Sequence, residues 1–383
     1  MPDTLSRADL RQLITRVFAP GPADRGLLLM VDLPDARRPD HADWRARRRL
    51  AADWAAKLAA EREALRLDRV TLAWYPNVGG NNADLPPAAV VGAADWVPDH
   101  TAELAGRPFT PFGELFAGHT LVLAPTELSA TAPLKVAARG GGFRAATMPG
   151  FLSSMLPALK LDYGEINRRV QLLKGLCDAA VACTVVTETA AGAHELVLDL
   201  RHRLGHASGG LFPVNGVAGN LPSGEAYIVP YEGEVTGDPS RTEGVLPVQL
   251  GPDVALLDIA GNRVRAVRGD GPLVAAEREH FVREPAYANL AELGLGVLGD
   301  FGLRPCGSIL LDEKLGLHIA FGRSDHFGGV VGPADFSSPA AVIHLDRVYI
   351  PEVQPLVKVR RVVLDGPDGS VTLMSDGHFA GIF

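Results

Sequence analysis

The first half of the chain alternates short apolar segments with longer segments of helical periodicity, and this alternation limits the folds it can adopt. Residues 26–32 form an almost continuous apolar run, and residues 69–75 and 119–124 repeat the pattern. Such runs are typical of strands that are buried on both faces of a parallel sheet. Between the first two runs, the apolar spacing of residues 41–67 predicts a long helix. The first half is therefore predicted to be an α/β unit with a largely parallel sheet.

The character of the sequence changes in its second half. Residues 134–138 are predicted to be a further strand of the first half, and residues 166–180 a helix. From residue 205 onward glycine and proline become frequent, and the apolar segments are short and bounded by turns. We therefore predict an α/β N-terminal domain over residues 1–200 and a β-rich α+β C-terminal domain, which binds metal, over residues 201–383.

Charge and composition exclude several classes of protein. The chain has 37 Lys and Arg against 45 Asp and Glu, a net charge of −8, and no basic block that would bind nucleic acid. Arginines at residues 45–49 are predicted to form a solvated helix face. No apolar stretch reaches the roughly 18 residues that a membrane span needs, and no signal peptide is evident. With only Cys177, Cys183 and Cys306, none in CxxC spacing, the protein is predicted to be cytoplasmic, with reduced thiols and no membrane partner.

Carboxylates and imidazoles occur together in four short segments of the second half. Six of these side chains are candidate metal ligands: Glu225, Glu292, Glu313, His318, His344 and Asp346. Imidazoles combined with several carboxylates suit zinc, manganese, iron or cobalt better than calcium. Because four carboxylates in one place repel one another unless cations neutralise them, the set predicts a metal site with two ions.

The spacing within two of these segments constrains their geometry. His344 and Asp346 are two residues apart in a strand-like segment, so both side chains would point to the same face, although an ordinary hydrogen-bonded pair has the same spacing. Glu313 and His318 are five apart, which on a helix is a rotation of roughly 140°. They would then approach a metal from different directions, or Glu313 would precede the helix. The alternative is an acid at a helix N-terminus and a core histidine.

The remaining candidates differ in how unusual their surroundings are. Glu292 lies in the apolar segment 290–295, where an uncompensated carboxylate is costly to bury, and is the most anomalous of the set. Glu225 follows a turn signal at the start of a strand-like segment, a common position without functional meaning. His326 lies close in sequence to His318, and we predict that it contacts the substrate or the metal ligands.

In their order, these segments resemble the metalloaminopeptidases of the aminopeptidase T and aminopeptidase S group, peptidase family M29. The resemblance rests on four motifs over residues 215–350: Asn220-Leu-Pro-Ser-Gly-Glu-Ala-Tyr-Ile-Val-Pro230, Asn289-x-x-Glu292, Asp312-Glu-Lys-Leu-Gly-Leu-His-Ile-Ala-Phe-Gly322 and His344-x-Asp346. It implies that the six candidate ligands hold two divalent ions, such as Zn, Co or Mn, with Glu292 as a bridge.

The resemblance also implies an activity and a partner. The reaction would be hydrolysis of the N-terminal peptide bond of a short peptide, or of a related amide, by water activated between two ions. Glu225, Glu292 and His326 are the residues to which we assign catalytic roles. Members of the family are dimers, so a homodimer is expected.

The chain departs from the family's pattern at two positions. Lys314 stands where the family has Asn, and Asp325 stands where the family has a tyrosine that would stabilise the tetrahedral intermediate. His326, next to Asp325, is the candidate to substitute for that tyrosine. These departures give some weight to an alternative in which the fold serves as a peptide-binding or scaffold protein of a biosynthetic pathway, while the hydrolase stays the leading hypothesis. A further alternative is a mononuclear Fe(II) dioxygenase of the 2,5-dihydroxypyridine type, which resembles the same fold but is expected to have histidine at the position of Glu292.

Overall fold

A computed structural model describes residues 4–383 of the chain. The α-helices of this range are α1 (Arg7–Phe18), α2 (Ala42–Ala60), α3 (Phe112–Gly118), α4 (Thr131–Gly141), α5 (Tyr163–Ala179), α6 (Pro272–Arg283) and α7 (Ile309–Asp312). Its strands are β1 (Gly26–Leu33), β2 (Arg69–Pro76), β3 (Ala88–Gly92), β4 (Thr110–Pro111), β5 (Leu121–Ala124), β6 (Arg144–Thr147), β7 (Ala182–Thr189), β8 (Gly192–Asp199), β9 (His206–Ser208), β10 (Ala218–Asn220), β11 (Glu225–Ile228), β12 (Glu243–Leu250), β13 (Asp253–Ala260), β14 (Arg263–Arg268), β15 (Leu290–Gly296), β16 (Leu317–Gly322), β17 (His344–Val348), β18 (Lys358–Gly366), β19 (Gly369–Ser375) and β20 (His378–Phe379). Among the helices of residues 4–383, none combines the length and the apolar character that crossing a membrane requires.

The chain forms two compact units that are not simply its two halves. The first unit contains the described residues up to Asn167 together with Ser208–Ser223, and the second contains Arg168–Ala207 and Gly224–Phe383. This division differs from the single boundary that we predicted after residue 200. The reason is strand pairing: β7 pairs with β18 and β8 with β12 in the second unit, whereas β10 pairs with β6 in the first.

The first unit is built on a seven-stranded sheet with the order β10-β6-β5-β1-β2-β3-β4. The strands from β10 to β2 are parallel, and β3 and β4 join the edge in antiparallel orientation. Every residue of β1 is buried, as expected of a central strand covered on both faces. The predicted mixed α/β character with a largely parallel sheet is therefore confirmed.

Two predicted elements of the first unit were wrong in detail. Helix α2 ends at Ala60 rather than at residue 67, because the chain leaves the helix at Glu61 and Arg66 adopts a left-handed backbone conformation with φ 58°. The predicted strand 134–138 lies inside α4 instead. Its apolar residues Leu134 and Ala138 are buried one helical turn apart, so the short apolar run reflects a helix face.

The arginines of α2 form the predicted solvated face only in part: Arg45 and Arg49 are exposed, but the two between them are not. Arg47 and Arg48 are buried, with 2 % and 0 % of their surface exposed. Arg48 donates to both carboxylate oxygens of Asp40, and Arg47 forms an ion pair with Glu127. A buried guanidinium needs such carboxylate partners, so these arginines are part of the packing of the first unit.

The second unit consists mainly of two antiparallel sheets. One has eight strands in the order β14-β13-β12-β8-β7-β18-β19-β20, and the other has five in the order β17-β16-β15-β11-β9. The central strand β15 is buried along its whole length, and β16 is equally buried. The five-stranded sheet is the element that positions the predicted ligands.

Candidate metal centre

Strand register brings three of the candidate ligands to one face of the five-stranded sheet. Glu292 on β15 is paired with Ala320 on β16, which is paired in turn with Asp346 on β17. His318 is paired with Gly294, two residues after Glu292. Directly paired residues of antiparallel strands share a face, and residues two apart on one strand share it as well. Glu292, His318 and Asp346 therefore project to the same side.

The same rules extend this ligand face to the other strands. Glu225 on β11 is paired with Gly296, and Tyr227, two residues later, is paired with Gly294. His344 is paired with Gly322 on β16. Apart from Val348, which is paired with His318 on its other side, the residues opposite the ligands are glycine or alanine, and they leave space above the sheet for the functional side chains.

Two of these glycines are required by close contacts. A Cβ atom on Gly294 would lie 1.9 Å from Nε2 of His318, so only glycine allows the imidazole to lie across β15. A Cβ atom on Gly296 would lie 2.2 Å from the carbonyl carbon of Lys314. Gly296 therefore allows the turn that carries Glu313 and Lys314 to pack directly on the strand.

The ligand face contains two overlapping groups with the geometry to hold a cation. One group is Glu225, Glu292 and His318, and the other is Glu292, His344 and Asp346; within each, the ligand atoms lie within 4.8 Å of one another. Oε1 of Glu292 is 3.2 Å from Nε2 of His318, and Oε2 is 3.2 Å from Nε2 of His344. Each oxygen of Glu292 thus faces a different group, which is the arrangement of a carboxylate that can join two ions.

The imidazole of His344 is held in an orientation suited to metal binding. Its Nδ1 donates a hydrogen bond of 2.7 Å to the carbonyl oxygen of Arg323. Since a neutral imidazole has one N–H, this bond leaves the lone pair on Nε2, which is 3.5 Å from Oδ1 of Asp346. Histidine ligands of metals are commonly fixed in this way through their second nitrogen.

The residues fit the predicted metal ions in their chemistry as well as in their position. Oε2 of Glu225 is buried and has no hydrogen-bond partner among the described residues, although it lies 3.7 Å from Nε2 of His318. A buried carboxylate oxygen without a partner is costly, and a cation would satisfy it. Three carboxylates and two imidazoles are a donor set suited to zinc, cobalt or manganese.

Glu313 lies outside both groups found among the described residues. It is the C-cap of α7 and the first residue of the 3₁₀ helix Glu313–Leu315, whereas His318 is on a strand, so the two residues do not share a helix and Glu313 is not at the N-terminus of an α-helix. The carboxylate of Glu313 contacts Nζ of Lys314, which also lies 2.6 Å from Oε1 of Glu225. Lys314, which we noted as a departure from the family's pattern, is thus a buried ammonium at the edge of the site.

Burial and neighbouring charges shift the pKa values of the site's members in different directions. Burial alone would lower the pKa of His318, but hydrogen bonding and attraction to Glu292 raise it to about 9. Burial alone would raise the pKa of Glu292, but both imidazoles hold it below its usual range. Burial raises the pKa of Glu313 to about 8. Without metal, a proton on His318 therefore balances part of the negative charge of the ligand groups, and metal binding has to release it.

An aromatic cluster lies next to the ligand face, formed by His206, Tyr227, His326 and Phe327. The rings of His206 and Tyr227 stack with centroids 5.0 Å apart, and Phe327 lies 4.8 Å from Tyr227. His326 lies 5.3 Å from the ring of the ligand His344. Burial, together with the neighbouring His344, lowers the pKa of His326 to about 4, so its imidazole is neutral at neutral pH.

A buried carboxylate holds the loop that carries two members of this cluster. Glu232 accepts hydrogen bonds from Oγ of Ser324 at 2.6 Å and from the backbone N–H of Val330 at 2.5 Å. Within this loop, Asp325 forms an ion pair with Arg323 at 2.5 Å. The position at which the family resemblance predicts a tyrosine is thus held by an ion-paired carboxylate beside His326.

Sequence reasoning missed Tyr227, His206 and Glu232. Tyr227 follows Glu225 by two residues on one strand, so the same-face rule that we applied to His344 and Asp346 would have found it. His206 and Glu232 lie in polar surroundings in the sequence, and their contacts join distant segments. No local signal identified them.

Solved structures with a similar fold include a dioxygenase and the protein AmpT. A 2,5-dihydroxypyridine dioxygenase from Pseudomonas putida KT2440 has a TM-score of 0.61 and 15 % identity, with 98 % of each chain covered. Wild-type AmpT from Thermus thermophilus has a TM-score of 0.56 and 15 % identity, with 98 % of this chain and 99 % of that chain covered. No protein-family model and no curated protein sequence matches the chain. The comparisons establish a shared fold, and the candidate site fits a metal-dependent enzyme.

Proposed function

We propose that the chain is a two-metal hydrolase that removes the N-terminal residue of short peptides or cleaves a related amide. The observation that carries the proposal is the position of the Glu292 carboxylate between the two ligand groups. One of its oxygens lies 3.2 Å from Nε2 of His318, and the other lies 3.2 Å from Nε2 of His344. The order of the four motifs and the similarity to the aminopeptidase AmpT support the same reaction. The predicted peptide substrate and homodimer belong to this proposal.

The roles of the residues follow from their positions. Glu225 and His318 would hold one ion, His344 and Asp346 the other, and Glu292 both. When bound, the ions supply polarisation of the substrate carbonyl and a lowered pKa of water. The neutral imidazole of His326, whose ring lies 5.3 Å from that of His344, would donate or accept a hydrogen bond on the substrate side. The aromatic cluster offers an apolar surface for the side chain of the first residue.

The test combines metal analysis with an activity assay. The full-length chain is purified without chelators, its metal content is measured, and hydrolysis of Leu-p-nitroanilide is followed with added Zn²⁺, Co²⁺ or Mn²⁺. We expect up to two ions per chain and turnover that chelation removes and metal restores. Two bound ions without cleavage of Leu-p-nitroanilide or of a panel of short peptides would contradict the proposed reaction.

A one-metal dioxygenase is the second candidate, and the fold similarity to 2,5-dihydroxypyridine dioxygenase is the observation that favours it. Glu292 argues against it, because a third carboxylate beside the two imidazoles favours a site that joins two ions. Uptake of oxygen with 2,5-dihydroxypyridine and one Fe(II) per chain would support this candidate instead. A chain that binds no metal under any of these conditions would support the scaffold alternative.

A further inference from the structure

Lys314 places a fixed positive charge at one of the two metal positions. Its Nζ is 2.6 Å from Oε1 of Glu225 and also contacts the carboxylate of Glu313, and its side chain is only 2 % exposed. The backbone of Lys314 packs against Gly296 so closely that a Cβ atom there would lie 2.2 Å from it. The ammonium is therefore held in place by the fold.

The charge affects the two ligand groups unequally. We call Glu225, Glu292 and His318 the guarded position, because Glu225 divides its two oxygens between Lys314 and this group. Glu292, His344 and Asp346 form the open position. The arginine next in sequence to Asp346 does not neutralise it, since Arg347 forms its ion pair with Glu277.

We propose that Lys314 makes the two positions unequal, so that the open position binds a divalent cation tightly and the guarded position binds a second one weakly and exchangeably. A fixed ammonium within a few ångströms of a divalent ion repels it, and it withdraws part of the charge of Glu225 from that ion. At an effective dielectric constant of about 20, this repulsion is large enough to separate the two affinities by about 100-fold or more. The inference rests on the proposed two-metal function.

The test is a Co²⁺ titration of the metal-stripped, full-length chain, followed by visible absorption and by equilibrium dialysis. We expect two binding steps, of which the second is weaker by about 100-fold or more. In Lys314→Met the second step should strengthen at least about tenfold, while the first stays within about threefold. Lys174→Met is the matched control, because it removes a lysine that pairs with a single exposed carboxylate, Asp178.

A second variant keeps the inference testable if Lys314→Met does not fold. Lys314→Gln removes the charge of the ammonium but keeps a side chain that can donate a hydrogen bond to Glu225. Its second binding step should strengthen at least about tenfold, with the first step within about threefold of the wild type. A second step that stays as weak as in the wild type would overturn the inference.

The outcomes separate this inference from the proposed reaction. Two steps of equal affinity in the wild type, or a second step that Lys314→Met leaves unchanged or weakens, would overturn the unequal positions. If the two ions bind unequally and no amide is hydrolysed, the inference about Lys314 holds and the proposed reaction is wrong. If amides are hydrolysed and the two ions bind equally, the proposed reaction holds and the inference about Lys314 is wrong.

Discussion

Each unit of the molecule buries a carboxylate on a central strand, and the two carboxylates have very different partners. Asp32 lies on β1 of the first unit and is 1 % exposed, and Glu292 lies on β15 of the second and is 4 % exposed. The oxygens of Asp32 accept hydrogen bonds from the backbone N–H groups of Glu127 at 2.7 Å and Leu128 at 2.9 Å. Those of Glu292 face two imidazoles.

This difference separates a structural carboxylate from one suited to binding a cation. In open parallel sheets, ligands commonly bind beyond the C-terminal ends of the strands, which is where Asp32 is found on β1. At this position the carboxylate of Asp32 already accepts hydrogen bonds from backbone N–H groups of the loop after β5, so its oxygens are not available to a ligand. On the ligand face, Glu292 and Glu225 face groups that bind metal, and one oxygen of Glu225 lacks a partner among the described residues. Burial alone therefore does not identify the site, whereas the partners of the carboxylate do: backbone N–H groups for Asp32 and imidazoles for Glu292.

The largest expected effect comes from Glu292→Gln. The amide cannot join two cations, so we expect hydrolysis to fall by at least about 1,000-fold and the chain to lose at least one bound ion. The measurement is kcat/KM for Leu-p-nitroanilide together with metal content.

Glu284→Gln is the matched control for this variant. Glu284 is also 4 % exposed and lies in the second unit, but it accepts its side-chain hydrogen bonds from Ser337. The Glu284→Gln variant should retain the activity of the wild type and bind both ions. Equal losses in the two variants would mean that burial of a carboxylate, and not its position between imidazoles, matters here.

The sequence predicted local geometry better than long-range pairing. The two-residue spacing of His344 and Asp346 indicated a shared face, because strand periodicity is a local property, and the structure places them so. The anomaly of Glu292 was likewise visible in its apolar surroundings. The predicted boundary after residue 200 does not coincide with the division into two compact units, since β7 pairs with β18, a strand well over a hundred residues later. The burial of Lys314 depends on Gly296 of another strand, and no local pattern contains that information.

Metal binding should stabilise the two units unequally. With Zn²⁺ at about 1,000 times its dissociation constant, mass action stabilises the protein region that binds it by about 4 kcal/mol. We therefore expect hydrogen exchange to slow in β11, β15, β16 and β17 and to stay unchanged in β1 and β5. Slower exchange around Asp32 would contradict the view that this carboxylate does not take part in metal binding.

Asp32→Asn should affect stability and leave metal binding unchanged. An amide keeps one acceptor oxygen, so the N–H of Glu127 or Leu128 loses its partner in a buried position, at a cost of about 2 kcal/mol. The four tryptophans of the chain, Trp44, Trp54, Trp74 and Trp96, all lie in the first unit. Urea unfolding followed by tryptophan fluorescence therefore reports this loss. A Co²⁺ titration that differs from the wild type would contradict the prediction.

The stability contributed by Asp32 should also depend on pH in a defined direction. Burial raises its pKa from 3.8 to about 6, although the two backbone hydrogen bonds oppose this. For an acid whose folded pKa is raised, the stabilisation is complete below pH 3.8 and is lost as the pH rises through about 6. The difference in unfolding free energy between the wild type and Asp32→Asn should therefore decrease from pH 4 to pH 6. If this difference increased from pH 4 to pH 6, the two backbone hydrogen bonds would outweigh burial in setting the pKa of Asp32.

The smallest expected effect concerns the neighbours of the ligand face. His206→Ala removes the stacking on Tyr227 and a hydrogen bond of 3.0 Å to the carbonyl of Phe327, but no ligand atom. An aromatic pair contributes about 1 kcal/mol, so KM for Leu-p-nitroanilide should rise about fivefold, with kcat and metal content unchanged. His202→Ala is the matched change: the ring of His202 meets that of Tyr231 edge to face with centroids 5.0 Å apart, and neither residue is a ligand, so KM should be unaltered. If kcat fell while KM stayed constant, the aromatic cluster would act by positioning the metal ligands. It would then hold these side chains in place as the backbone N–H groups of Glu127 and Leu128 hold Asp32.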